Sequence, residues 1–400
     1  MRGAPEAGEE DCRPPALTHL ALFWRFLRFG LLAFGGPVAQ IAMIRRELVE
    51  RERWISPASF NRLLAVMQAL PGPEAHELCV HLGVRAKGRI GGLLAGLGFM
   101  TPGVLLMLLV AWLYALQAMA NALVATLFTG VQAAVLAVVL LAVIRIGRHI
   151  LADPALWLIA AAAALLTLVG ASFWLLLPVS GLAYVLARRQ RWSLLLLLLA
   201  AAAGAMLLLP VPQPPAAGSA SGTADTWTLF VTGLKAGLLT FGGAYTAIPF
   251  VRDDTVGRGL MTDGQFLDGL AFAGLLPAPL VVFATFAGWI SGGPAGALAI
   301  TAGIFLPAFA FSLLFYERLE ALVEDERLHR FLAGVAAAVV GLIAVTFAEL
   351  GRQTAAASPD LAFSAGIFAL ALLVLLKWRG LFAVPAVLAA SALAALALLG

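Results

Sequence analysis

The chain has 400 residues, of which 62% are hydrophobic and only 12% charged, and its mean hydropathy is +0.96. Soluble globular domains carry roughly a quarter of their residues as charges, so this composition excludes a soluble enzyme or solvated binding module and places the chain in a bilayer. The net charge of +4 comes mainly from Arg clusters at the ends of apolar segments; in a membrane protein these report orientation, and no nucleic-acid partner is expected.

Residues 1 to 16, MRGAPEAGEEDCRPPA, form a polar, net acidic tail. It lacks the basic start and apolar middle of a cleavable signal, so the N-terminus is expected to be kept. Cys12 and Cys79 are too few for a disulfide framework or a metal cluster. From Arg28 the chain reads RFGLLAFGGPVAQIAMIRRELVE, and from Lys235 it reads KAGLLTFGGAYTAIPFVRDDTVG. Gly30, Leu31, Leu32, Phe34, Gly35, Gly36, Ile41 and Arg45 return as Gly237, Leu238, Leu239, Phe241, Gly242, Gly243, Ile248 and Arg252, an offset of 207 residues. With one slipped residue, Leu70, Pro71 and Pro73 of LPGP return as Leu276, Pro277 and Pro279 of LPAP. Duplicated apolar units interrupted by Gly and Pro are typical of secondary transporters, whose paired broken helices form the substrate site.

Uncharged runs at 90 to 116, 121 to 144, 155 to 187, 193 to 209, 331 to 348, 361 to 376 and 381 to 399 match or approach the roughly 20 residues that span a hydrocarbon core. They are rich in Leu, Ala and Val without alternation, which favours helices over a barrel. The expected fold is an all-α polytopic membrane protein with two inverted repeats and broken or re-entrant helices. A linker at 210 to 227, rich in Pro, Ala, Gly and Ser, separates a first repeat at 17 to 209 from a second at 228 to 400. Each half should hold a helix ending at FGG, a polar stretch (45 to 62; 252 to 264), helices broken at LPGP or LPAP, and ordinary spans; the last half of each repeat diverges.

Charge supports the inversion. Arg45, Arg46, Arg51, Arg53, Arg62, Arg85, Lys87 and Arg89 flank the first breaks, whereas the second repeat has Arg252 and Arg258 among Asp253, Asp254, Asp263 and Asp268. The positive-inside rule puts the first set in the cytoplasm and the second outside, consistent with five crossings between the halves.

Several residues could carry transport. Arg28 and Lys235 stand at the same spacing before their FGG turns, and an intramembrane cation is a functional candidate; two clamps on one anion and two snorkelling side chains both fit the pattern. Gly35, Gly36 and Pro37, with Gly242 and Gly243, break a helix, permit positive φ and could aim free amides at an anion; close packing of small residues is the alternative. Pro71, Gly72, Pro73, Pro277 and Pro279 must interrupt hydrogen bonding, either beside a pathway or at simple kinks. Gln68, Glu74, His76 and Glu77 cluster at the first break, and Glu77 could carry a coupling proton. The second break, with Gly274, Leu275, Leu276 and Leu280, is apolar. Arg45 and Arg252 could draw an anion into a vestibule, although they, and Trp54, suit interfacial anchoring equally. His76 to His81 reads HExxxH, which puts the histidines on different helix faces and fails as a zinc-protease motif. No catalytic triad or nucleotide loop is visible, so neither an enzyme nor a cofactor is expected.

FGGPVAQIAMIRRELVERERWIS (34 to 56), LPGPEAHELCVHLGVRAKGRIGGLLAGLGFMTPG (70 to 103), FGGAYTAIPFV (241 to 251) and FLDGLAFAGLLPAPLVVFATFAGW (266 to 289) resemble the chromate ion transporter family in its long, two-repeat form. The resemblance implies a multi-pass inner-membrane secondary transporter that expels chromate and confers resistance to it. Coupling would be to protons or to exchange for a counter-anion such as sulfate. Arg28, Phe34, Gly35, Gly36, Pro37, Arg45, Trp54, Pro71, Gly72, Pro73, Lys235, Phe241, Gly242, Gly243, Pro277 and Pro279 fall on the family's core positions. The chain departs at Gln40, where the family often has His, and at AGLLPAP, where the family often reads AETTPGP. His76 and Glu77 replace a more usual neutral polar pair. A permease for sulfate or another oxyanion shares every feature above; an intramembrane enzyme and a non-transporting scaffold fit less well. A homodimer is compatible with this reading.

Overall fold

Polar side-chain caps at Thr18, Ser56, Asp153, Asp225, Thr262 and Asp360 start helices in both halves of the chain. The computed structural model describes residues 12, 14–117, 122–188, 190, 194, 223–241, 243–314, 326–378, 380 and 382–399, and every regular element among them is helical. The first half runs through α1 (His19–Leu31), α2 (Gly36–Ile44), a π-helical stretch (Arg45–Arg51), α3 (Pro57–Ala69), α4 (Glu74–Gln117), α5 (Ala122–Ile150), α6 (Pro154–Leu168) and α7 (Phe173–Arg188). The second half holds α8 (Thr226–Leu238), a 3-10 turn (Ala244–Ala247), α9 (Ile248–Thr255), α10 (Asp263–Leu275), α11 (Phe283–Leu314), α12 (Glu326–Ala357), α13 (Leu361–Lys377) and α14 (Ala383–Leu399). Thr226 and Trp227, expected in the linker, belong to α8, because Asp225 caps that helix by accepting from the Thr228 amide. Linker residues 210 to 222 and the run at 195 to 209 lie outside the described residues.

Three pairs of caps carry the duplication further along the chain than its apolar strings do. Thr18 and Asp225 open α1 and α8, Ser56 and Thr262 open α3 and α10, and Asp153 and Asp360 open α6 and α13. Each side-chain oxygen satisfies an amide that the first helical turn leaves free. The last half of each repeat therefore diverges in sequence but not in architecture: α5, α6 and α7 are answered in order by α12, α13 and α14. The divergence reflects chemistry, since Leu, Ala and Val exchange freely on helices whose backbone bonds are all internal.

α4 and α11 are hairpins of two antiparallel arms. Lys87 and Gly88 leave helical geometry at φ −145° and +63°, and Gly292 and Gly293 do so at −156° and +64°. Positive φ at the second position favours glycine. A Cβ added to Gly83 would stand 2.5 Å from the Gly91 carbonyl oxygen, and one on Gly288 would stand 2.6 Å from that of Gly296. Residues eight apart on a straight helix are about 12 Å apart, so the arms fold back. The expected broken helices are present.

The two repeats interlock. α1 packs on α4 and α8 on α11 within each repeat, and α4 packs on α11 between repeats. Further along, the partners cross over: α5 packs against α13 and α14, and α12 against α6 and α7. Among the described residues, four segments are long and apolar enough to cross a membrane, at 74–116, 126–150, 280–314 and 326–357. They are the helices of this interlocked centre.

Candidate site at the meeting of four helix breaks

The FGG turns have the backbone their glycines allow. α1 ends at Leu31, and Gly35 and Gly36 take φ of +82° and +78° before Pro37 enters the first turn of α2. In the second repeat α8 ends at Leu238 and Gly243 takes φ +129° ahead of the 3-10 turn; Gly242 lies outside the described residues. One turn into α2, the buried Gln40 donates both hydrogens of Nε2, to the Ala33 and Ala278 carbonyl oxygens, each at 2.9 Å. Ala278 is the middle of LPAP, so the first FGG turn is tied to the second repeat's break. The reverse tie exists as well: the Gly72 amide, in the middle of LPGP, donates to the Thr240 carbonyl oxygen beside the second FGG turn at 2.8 Å. The two turns face each other, for a Cβ on Gly36 would stand 3.9 Å from the Tyr245 hydroxyl.

Side-chain volume is traded across the same junction. A Cβ on Gly72 would stand 3.2 Å from the Ala308 Cβ on α11, and a Cβ on Gly103 of α4 would stand 2.4 Å from the Ala278 Cβ. Each hairpin thus brings one glycine–alanine contact to the other repeat's break, with the glycine on opposite partners. Pro71, Gly72, Pro73, Pro277, Ala278 and Pro279 are all buried in protein, the condition under which non-helical backbone is tolerated at membrane depth.

Glu77 points into this junction. It is fully buried, neither carboxylate oxygen has a hydrogen-bond partner among the described residues, and Oε1 lies 2.5 Å from where a Gly72 Cβ would be. The adjacent His76 lies with its ring 4.9 and 4.7 Å from those of Phe305 and Phe309. Gln68, half-buried, hydrogen-bonds Glu74 instead. On the second-repeat side, Val135, Val138, Tyr245, Leu270, Gly274 and Leu280 line a small apolar cavity.

The cations do not form the matched set that their spacing suggests. Arg28 is exposed, whereas Lys235 is 6% exposed, paired through Nζ with Asp254 Oδ2 at 2.5 Å and 4.5 Å above the Phe173 ring. Asp254 neutralises Lys235, so the two cations do not present equivalent free charges. Arg252 is likewise engaged, with Asp263 at 2.7 Å and Glu349 at 2.5 Å; it ties α9 to the starts of α10 and the end of α12. Arg45 is more open, 3.6 Å from Glu50 and 3.4 Å from Asn61. Trp54 is no interfacial anchor: it is wholly buried, donates Nε1 to Glu52 at 2.9 Å and packs on Phe26. Asp254, Asp263 and Asp268, counted as loop acids, are instead engaged with Lys235, with Arg252, and with Tyr114 and Gln132. Arg145 was missed among the sequence candidates; it is exposed on α5, within electrostatic range of Tyr245, and its position among loop-end arginines masked it.

This duplicated core coincides with what the chain shares with known proteins. The model of the family described as chromate transporter matches residues 20–205 and 227–397. The chain belongs to the chromate transporter family. It is 57% identical over 385 residues to the chromate transport protein of Pseudomonas aeruginosa, covering 95% of this chain and 92% of that one. It is 30% identical to the chromate transport protein of Cupriavidus metallidurans, over 85% of this chain and 84% of the relative. An uncharacterized transporter of Methanocaldococcus jannaschii is 26% identical over 355 residues. No solved structure matches. As a member of the chromate transporter family the chain is a multi-pass membrane transporter and not an enzyme.

Proposed function

We propose that the chain is a secondary active exporter of chromate in the inner membrane, with the anion bound where the four helix breaks meet. The observation that carries this reading is the reciprocal docking of Gln40 on Ala278 and of Gly72 on Thr240. It gathers unwound backbone from both repeats at one place, as alternating-access carriers do around a central site. Gly35, Gly36, Pro37 and Gly243 shape the anion's cradle, and the Tyr245 hydroxyl supplies a neutral donor. Arg28, Arg45 and Arg145 raise the local anion concentration. Lys235 and Arg252 hold the second repeat together through their acids. Glu77, buried without a partner, carries the coupling proton, since an unpaired carboxylate is costly to keep ionised in an apolar interior. The two repeats are inverted in the membrane, with the Arg-rich loops of the first in the cytoplasm, and export of chromate confers resistance to it.

A counter-anion such as sulfate is the alternative coupling species, and the apolar lining around Gly274 and Leu280 favours a second reading in which the transported oxyanion itself differs. Uptake of labelled chromate into inside-out vesicles, with and without a proton gradient and with sulfate as competitor, tests both. Gradient-dependent accumulation supports the exporter; sulfate flux without chromate flux replaces the substrate.

A further inference from the structure

A second buried carboxylate stands apart from the four breaks. Asp268 on α10 is 4% exposed and reaches into the first repeat. Tyr114, near the end of α4, donates its hydroxyl to Oδ2 at 2.8 Å, and Gln132 of α5 donates Nε2 to Oδ1 at 2.8 Å. Gln132 also reaches the Gly264 carbonyl oxygen at 3.4 Å. Edge-on rings of Phe128, Phe272 and Phe286 surround Tyr114. Seven residues of helix, roughly 10 Å, separate Asp268 from the end of α10 at Leu275, just before Pro277.

The described residues give this carboxylate no cation. Tyr114 is the titratable group that faces it. α11 and α14, which pack on α10, contain no charged residue in their described lengths. The basic residues of α5 begin at Arg145, about 20 Å along the helix from Gln132. On α10 itself Asp263 is held by Arg252, which also holds Glu349 of α12; the ionisable groups of α4 other than Tyr114 end at Arg89, far along the arm.

We propose that Asp268 is a proton-binding site of the second repeat, whose occupancy decides whether α10 stays latched to α4 and α5. Ionised, the carboxylate accepts from both donors. When a proton arrives on Oδ1, the new O–H faces the Gln132 N–H, and two donors cannot share a hydrogen. Gln132 must then turn its amide, giving up Gly264, or release α10. A proton on Oδ2 is met instead by reversal of the Tyr114 hydroxyl, and on either oxygen it removes the charge that strengthens both hydrogen bonds, so the latch weakens. α10 leads directly into the LPAP break, so this latch couples a proton to movement of the second-repeat break. The inference rests on the coupled-carrier reading above and adds a proton site distinct from Glu77.

The test is chromate flux against pH in proteoliposomes holding the full chain, for wild type, Asp268→Asn and Tyr114→Phe. The expected result is a pH-dependent wild-type rate, a flattened profile in Asp268→Asn, and a midpoint moved to higher pH in Tyr114→Phe, whose ionised carboxylate has lost a donor. A wild-type profile in Asp268→Asn overturns the proposal. Should Asp268→Asn not fold, infrared difference spectra between low and high pH decide. A protonated-carboxyl band that titrates in wild type and moves in Tyr114→Phe is expected, and the absence of any Tyr114-sensitive band overturns the proposal. Without chromate flux in wild type the substrate assignment fails, while the infrared titration still reads Asp268.

Discussion

Gln40 holds the Ala278 carbonyl oxygen at 2.9 Å across the interface between the two repeats. The same nitrogen holds Ala33, so one amide fixes both the first FGG turn and the second break. Gln40→Leu leaves two carbonyls without this donor, at about 1–3 kcal/mol for each buried group left unsatisfied. The expected outcome is a lower melting temperature in detergent and loss of chromate flux. Gln40→His, which keeps a single donor, should recover part of both.

Lys235 and Asp254 form a buried pair, and breaking one costs about 3–5 kcal/mol when a charge is left behind. Arg258, 3.2 Å from the other Asp254 oxygen, offsets part of that loss. Lys235→Met should therefore destabilise towards the low end of the range. The double variant Lys235→Met with Asp254→Leu should melt closer to wild type, as a double-mutant cycle in detergent would show.

Arg28 is exposed at the last turn of α1, just before the first FGG turn. Arg28→Gln should leave stability within about 0.5 kcal/mol and lower the initial rate of chromate uptake by up to roughly 10-fold at low salt, an effect that fades as ionic strength rises. An unchanged rate at every salt concentration removes Arg28 from the pathway.

Gly72 has φ +147° and room for no Cβ beside Glu77 Oε1. Gly72→Ala should be strained and should displace the carboxylate, changing the pH dependence of flux as well as its rate. Gly103→Ala meets the Ala278 Cβ instead, an overpacking worth about 1–3 kcal/mol that should lower the melting temperature while leaving the pH profile in place.

Asp153 lies between α5 and α6, where it accepts from the Ala155 and Leu156 amides and from the Tyr184 hydroxyl at 2.6 Å. The Tyr184 hydrogen bond first, and the two amides, hold its carboxyl below the usual aspartate value. A depressed folded-state value means stability that is present at neutral pH and disappears as pH falls through it. The difference in melting temperature between wild type and Asp153→Ala should be steady near neutrality and shrink in acid below the ordinary aspartate range.

The broken helices were legible because glycine and proline act locally. Gly35, Gly36 and the two proline pairs decide backbone geometry within a turn of themselves, and they recur in the second half with a single slipped residue between them. The caps Asp153 and Asp360 recur at the offset of the two glycines, and could have carried the repeat into the divergent helices. Pairing was not legible. Arg28 and Lys235 match in spacing, yet Lys235 meets Asp254 and Phe173 while Arg28 meets none of their counterparts. Trp54 has the composition of an interfacial residue and the environment of a core one.

Composition, periodicity and the duplicated breaks, all short-range properties, determined by themselves that this chain is a two-repeat helical membrane protein. Which break docks on which turn, which acid neutralises which cation, and which carboxylates stay buried without one were decided by tertiary structure alone. The reason is separation: Gln40 and Ala278 are 238 residues apart, and no local preference of either can specify the other until the crossed packing of α5 and α12 brings the repeats together.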